Sequence, residues 1–260
     1  MNEVTRGHLY DYPKYYDVIF GSGSKTEFDF LNSCFEIHSG RQIRRVFEPA
    51  CGTGRLLIKF AKSGFEVSGN DLNRRAVEYC NARFERNGFP GTAFVGDMSD
   101  FVLSRKADAA FNLINGFRHL VSESLAESHL KSVASNLAKG GLYVLGLHLI
   151  PTRGNRMLAE KWSARRGRLS VVSHMWPKRL NLRKRQEVCG MSFDVSTTRS
   201  QIRIEDELIL RTYTARQMQL LLNKTPQLEV AATYDFTYRT IYPILIGPET
   251  EDVVYVLRKR

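Results

Sequence analysis

The chain has 260 residues, with 38 Lys or Arg against 27 Asp or Glu and a formal charge of +11. With 43% apolar and 25% charged residues it is neither fibrous nor a disordered polyelectrolyte, and its length suits one α/β domain with an insertion. The charge is concentrated: eleven basic residues lie between Pro151 and Gln186 beside the single acid Glu160, which leaves +1 for the rest of the chain.

Residues 1–40 are rich in Tyr and Phe, and the apolar spacing over 26–37 predicts a helix within an N-terminal helical cap, stopped near Gly40. From Ile43 the pattern alternates. Strands are expected at 43–48, 65–70, 92–96, 107–113 and 142–149, with helices at 54–62, 73–87 and 122–138, the last stopped by Gly140-Gly141. Alternating strands and helices joined by short links imply right-handed crossovers and a parallel sheet covered on both faces. After Ile150 the rhythm breaks into β-type alternation at 169–175, 192–199 and 201–210, which predicts an inserted antiparallel segment. A helix at 214–222 and strands at 228–236 and 252–257 close the chain. The expected architecture is a single Rossmann-like α/β domain with a mostly parallel seven-stranded sheet. Its core is 41–150 and 205–260, and a basic antiparallel lid is inserted at 151–204.

The four cysteines, Cys34, Cys51, Cys80 and Cys189, have neither CxxC spacing nor His partners at metal-finger intervals, so no metal site is expected and a reducing compartment fits. The first residues lack a signal-type apolar run, and the longest such run, 142–150, is far short of the ~20 residues that span a bilayer. A cytoplasmic protein without a membrane partner is expected.

The segment 46–55, Val-Phe-Glu-Pro-Ala-Cys-Gly-Thr-Gly-Arg, joins the first core strand to the first core helix at the edge where open α/β sheets bind ligands. Gly52 and Gly54 would let the backbone pass close to a ligand. Glu48 can accept hydrogen bonds from a ligand amino group, and Asp71, with Leu72 beside it, ends the next strand where a carboxylate can accept ribose hydroxyls. Arg55 stands where a dinucleotide G-x-G-x-x-G fingerprint would need a third small residue, which argues against that alternative.

This ordered set resembles the binding motif of class I S-adenosylmethionine-dependent methyltransferases. Two further segments are similar to the same family. In Gly96-Asp97-Met98 the resemblance places an acid on the adenine amino group and an apolar neighbour against the ring. The run 107–120, containing Asn112, Asn115 and His119-Leu120, resembles the strand-four motif of small-molecule methyltransferases. Tyr15-Tyr16-Asp17 is similar to the Tyr-Asp segment that covers the methionine part, and Arg211-Thr212-Tyr213-Thr214 to a run before the last crossover. The resemblance implies S-adenosylmethionine as cofactor, held by Tyr15, Tyr16, Glu48, Ala50, Gly52, Gly54, Arg55, Asp71, Leu72, Asp97, Met98, Asn112 and Asn115. Ala50 stands where the family has its first Gly.

In-line methyl transfer needs mainly alignment, and a base where the acceptor must lose a proton. His119 is the first candidate base, with an ordinary pKa near ~6.5, and His148 the second. The expected acceptor is a small molecule, anionic where arginines of the basic segment help to bind it, methylated at O or N by a monomer or homodimer. The alternatives are an RNA or protein methyltransferase using the basic insert, with Trp162 and Trp176 as stacking platforms, and a non-catalytic cofactor-binding protein. Nucleic acid is disfavoured because strand four ends in Asn112-Leu113-Ile114-Asn115, without the [DN]-P-P-[YF] sequence of base-amino methyltransferases.

Overall fold

The computed structural model describes residues 3–21, 23–154, 156 and 159–260. In chain order it contains strand β1 (Glu3–Arg6), helices α1 (Pro13–Phe20) and α2 (Lys25–His38), β2 (Arg45–Pro49), α3 (Leu57–Lys62), β3 (Glu66–Asp71), α4 (Arg74–Arg86), β4 (Ala93–Val95) and β5 (Ala107–Asn112). These are followed by α5 (Glu123–Asn136), β6 (Leu137–His148), β7 (Glu160–Arg166), β8 (Leu169–Asn181), β9 (Gln186–Ser196), β10 (Gln201–Arg211), α6 (Ala215–Asn223), β11 (Leu228–Tyr234) and β12 (Asp252–Lys259). Short 3-10 turns sit at Leu9–Asp11 and Gly116–His119.

Among the described residues a seven-stranded sheet runs in the order β11-β12-β6-β5-β2-β3-β4. β2 pairs in parallel with both β3 and β5, while β12 is antiparallel to β6 and β11. The chain steps from β2 to β3 and β4 on one side, then returns to β5 and β6 on the other. That reversal opens a crevice at the carboxyl ends of β2 and β5, where such sheets take ligands. The fold class read from the sequence is the one observed.

Packing explains why these strands hold the centre. β5 is buried along its whole length, as a parallel strand covered on both faces must be. One face packs Phe30, Leu31, Leu57, Phe60, Cys80 and Phe84 from α2, α3 and α4, and the other packs Leu130, Val133, Met218 and Leu221 from α5 and α6. Local signals start the helices. The Ser122 side chain accepts from the Leu125 N–H, and Thr214 and Gln217 form a reciprocal capping box at α6.

The antiparallel segment is a five-stranded sheet in the order β1-β10-β9-β8-β7. It differs from the sequence expectation in three ways. β1 adds in parallel to β10, pairing Glu3 with Ile202, so the N-terminal segment is not purely helical. β7 precedes the strands expected, and β10 runs to Arg211, so the division at 204/205 falls inside a strand. The Gly140-Gly141 pair is a further difference. α5 stops at Asn136 and the glycines lie within β6, where Gly140 has φ 76° and a Cβ on Gly141 would strike the Asp108 carbonyl.

The second sheet packs on the N-terminal segment through Leu9, Val18, Ile19, Val171, Met191, Phe193 and Ile204. At that contact the buried carboxylate of Asp17 accepts hydrogen bonds from Arg166 of β7 (2.7 Å), from the Tyr79 hydroxyl (3.2 Å) and from Thr53 Oγ1 (3.3 Å), and pairs with Arg83 of α4. Burial alone would raise this carboxyl, but the Arg83 and Arg166 guanidiniums hold it below its ordinary range. No helix among the described residues is long and apolar enough to cross a membrane.

Candidate active site

Three residues in the turn after β2 adopt left-handed backbone: Ala50 (φ 55°), Gly52 (φ 52°) and Gly54 (φ 65°). The Cys51 N–H donates to the Asn70 carbonyl (2.8 Å) and the Gly54 N–H to the Cys51 carbonyl (2.9 Å), closing the turn onto β3. The two glycines have different reasons. A Cβ on Gly52 would meet no atom within 4 Å and would stand in an open cavity. A Cβ on Gly54 would run into the Cys80 sulfur on α4. The close approach of α4 therefore requires a glycine at 54, which the sequence had suggested for ligand approach, and Gly54 is not among the residues that line the cavity.

That cavity, of about 310 Å³, lies between the strand ends, the N-terminal segment and the loop after β5. Its walls include Glu48, Ala50, Gly52, Arg55, Asp71 and Leu72 from the β2 and β3 ends. Met98, Asn112, His119 and Tyr16 complete the set of sequence candidates found there.

Glu48 is buried, and its Oε2 has no hydrogen-bond partner among the described residues. Burial raises its carboxyl well above the usual carboxylate range, opposed by the nearby Arg55 guanidinium. Arg55 is itself committed to Glu27, to which it donates twice, the longer bond being 2.7 Å. Asp71 is held by two backbone donors, with Gly52 N–H on Oδ2 and Asn73 N–H on Oδ1, each at 2.8 Å. Each carboxylate oxygen keeps acceptor capacity for a ligand hydroxyl. Asn112 Nδ2 donates to the Pro49 carbonyl (2.8 Å), while its buried Oδ1 has no partner among the described residues.

His119 faces this cavity with Nε2 2.9 Å from the Tyr10 hydroxyl. Burial, reinforced by the neighbouring Arg118 charge, lowers its pKa to about 4. The ring is therefore neutral at pH 7 and a much weaker proton acceptor than the ordinary value implied.

Besides Gly54, four candidates lie outside the cavity. Tyr15 stacks on Tyr12, with centroids 6.0 Å apart. Asp97 is exposed, and its Oδ1 accepts from the Ser99 N–H (2.7 Å), although its neighbours Gly96 and Met98 do line the wall. Asn115 (φ 67°) turns its Oδ1 to the His148 N–H (2.8 Å). His148 and Asn115 instead border a small polar space of about 40 Å³ beside the Arg118–Glu187 ion pair. Sequence reasoning did not assign Tyr10, His8, Asp11 and Phe20 to the site, yet all four line the cavity at the strand ends. The aromatic density of residues 1–40 was the available signal.

The basic segment is not a uniform positive face. Arg156 pairs with Glu187, Arg166 with Asp17, Lys178 with Glu207 and Arg185 with Glu123. Trp162 packs edge-on against Phe20 at 5.7 Å and Trp176 covers Gly190, so both rings are packing groups here.

Residues 46–141 match a family profile described as a methyltransferase domain. The chain is similar to the tRNA (guanine(10)-N2)-dimethyltransferase of Methanothermobacter thermautotrophicus, 32% identical over 104 residues, covering 38% of this chain and 31% of that protein. It is also similar to the dTDP-3-amino-3,4,6-trideoxy-alpha-D-glucopyranose N,N-dimethyltransferase of Streptomyces venezuelae, 28% identical over 100 residues, covering 38% and 40%. The chain spans less than half the length of these curated relatives. A solved S-adenosylmethionine-dependent methyltransferase from Clostridium acetobutylicum superimposes with TM-score 0.76 at 17% identity, over 95% of this chain and 97% of that one. Residues 46–141 thus match a methyltransferase domain, and the chain as a whole has the fold of that solved S-adenosylmethionine-dependent methyltransferase.

Proposed function

We propose that the protein transfers a methyl group from S-adenosylmethionine to an amine or hydroxyl of a small molecule, with an amine on a sugar-like scaffold the favoured acceptor. The observation that carries the reading is the unpartnered, buried Glu48 Oε2 in the same cavity as Asp71 and the open face of Gly52. A buried carboxylate oxygen without a donor is costly unless a ligand supplies one, and an ammonium does so. Asp71 would accept the ribose hydroxyls, Gly52 would leave room for the chain of the cofactor, and Met98 would take an apolar face. When bound, S-adenosylmethionine supplies a methyl group already activated on a sulfonium.

The chain's own contribution is alignment and exclusion of water. Tyr16 and Phe20, with rings 4.5 Å apart, cover the cavity from α1. His119, neutral and hydrogen-bonded to Tyr10, orients the acceptor by a hydrogen bond. With a pKa near 4 it is poorly matched to carrying the proton of an ammonium. The amine relative among the curated proteins supports an amine acceptor. A nucleic-acid acceptor, which the tRNA-modifying relative would suggest, is disfavoured because four cations of the basic segment are spent on internal ion pairs.

Calorimetry with S-adenosylmethionine and S-adenosylhomocysteine tests the reading on the native chain and on Asp71→Ala. Binding of both, weakened roughly tenfold or more by the substitution, is expected. Absence of heat from the native protein sinks it.

A further inference from the structure

A groove separate from the site above runs along the outer face of α1. It has a volume of about 470 Å³ and is bordered by α1, α4, the β7–β8 turn and the β9–β10 turn. Four of its lining residues are cations: Lys14, Arg86, Arg166 and Arg168. Among the described residues no carboxylate lines it. Asp17, the partner of the lining residue Arg166, is buried and already shared by Arg83, Arg166 and Tyr79, and among the described residues Lys14, Arg86 and Arg168 form no ion pair. Converging like charges beside a low-dielectric wall raise the local potential and attract counter-anions. Val18 and Leu169 give the groove an apolar portion, and Thr197 adds a hydroxyl.

We propose that this groove binds a small phosphate-bearing anion, independently of the methyl-transfer reading. Guanidinium groups match phosphate oxygens in planar, paired hydrogen bonds, and a phosphate brings more charge and more acceptor oxygens to several cations at once than a monovalent carboxylate or chloride does. The groove is also too local for a nucleic-acid strand. Three further basic-segment cations without an ion pair among the described residues, Arg179, Arg183 and Lys184, lie towards the opposite end of β8, whose thirteen residues span about 40 Å. Of the remaining cations of the segment, Arg156, Lys178 and Arg185 are committed to acids, which thins the positive charge between the groove and that end.

The test is calorimetric titration of the full chain with inorganic pyrophosphate and, separately, phenyl phosphate, at low and at physiological salt. Saturable binding at one site is expected, weakened by salt and reduced roughly tenfold or more in a Lys14→Ala/Arg168→Ala double variant. Both substitutions are at exposed positions, and Arg166 is left in place because its loss would also release Asp17. An Arg179→Ala/Arg183→Ala variant should bind as the native chain does. Binding of both probes, or of the ester alone through the apolar portion, supports the site. No saturable binding overturns the proposal, as does equal loss in both double variants. A single-stranded oligonucleotide that displaces pyrophosphate and loses affinity in both variants also overturns it, in favour of a nucleic-acid surface.

Discussion

The Tyr10 hydroxyl lies 2.9 Å from Nε2 of His119 and so joins the N-terminal segment to the loop after β5 across the cavity at the strand ends. Because burial and Arg118 lower the His119 pKa to about 4, the pair is uncharged throughout the neutral range. The rate of methyl transfer is therefore expected to show no ionisation of His119 near its ordinary value of 6.5. Tyr10→Phe, which removes one neutral hydrogen bond, should lower kcat/KM by about tenfold at most. A pH–rate profile with a limb near 6.5 that disappears in His119→Asn would show that this histidine works as a base after all.

The turn after β2 contains three left-handed positions with separable consequences. Gly52→Ala should cost about 1 kcal/mol of stability through its positive φ and should weaken cofactor binding more strongly, since its Cβ enters the cavity. Gly54→Ala should lose stability by a larger amount, because the new methyl meets the Cys80 sulfur. Ala50→Gly, which relieves the φ of 55°, should gain about 0.5–1 kcal/mol after the entropy of the unfolded chain is counted. Thermal unfolding and cofactor calorimetry on the three variants separate these effects.

Glu48 makes cofactor binding a protonation event. Its folded-state pKa is raised by burial, so the free protein holds a proton there at pH values where an exposed Glu has none. A ligand ammonium favours the carboxylate, and binding should release that proton. Calorimetry in buffers of different ionisation enthalpy measures the release, which Glu48→Gln should abolish. Equal proton release by the variant and the native chain rules out Glu48 as the source.

His129 shapes stability in acid. It is fully buried between the Met98 carbonyl (2.7 Å) and the Tyr143 hydroxyl (2.6 Å), and burial lowers its pKa to about 4. Between that value and 6.5 the unfolded chain binds a proton that the folded chain refuses, so the stabilisation is present above 6.5 and is lost as pH falls. The size of this loss is about 3 kcal/mol. Denaturant unfolding curves of native protein and His129→Gln, measured from pH 7 to pH 4, should therefore converge towards the acid end. Curves that stay parallel contradict the linkage.

The parts of the site legible in the sequence are those that close locally. Glu48, Gly52 and Asp71 belong to two consecutive strand ends, and the spacing of one parallel crossover brings them together. What was hidden depends on pairs distant in the chain. Gly54 answers to Cys80 on another helix, and Tyr10 meets His119 more than a hundred residues on. Side-chain direction was equally invisible: Asn115 and Asp97 sit beside the cavity in sequence, but their side chains bind the His148 and Ser99 backbone instead. β1 escaped notice because four residues carry too little periodicity, and its partner is two hundred positions away.

The grip of Arg166 on Asp17 also sets what can be exchanged between relatives of this fold. Removing 151–204 as a cassette would strand a buried carboxylate with one of its two guanidiniums gone and bare Leu9 together with the apolar side of α1 formed by Val18 and Ile19. It would also leave β1 without the strand it pairs with, since that strand spans the cut. The transplantable unit is therefore discontinuous in the chain. Residues 3–20 and 160–211 travel together, and a chimera that borrows one without the other inherits a mismatched seam beside the cofactor cavity.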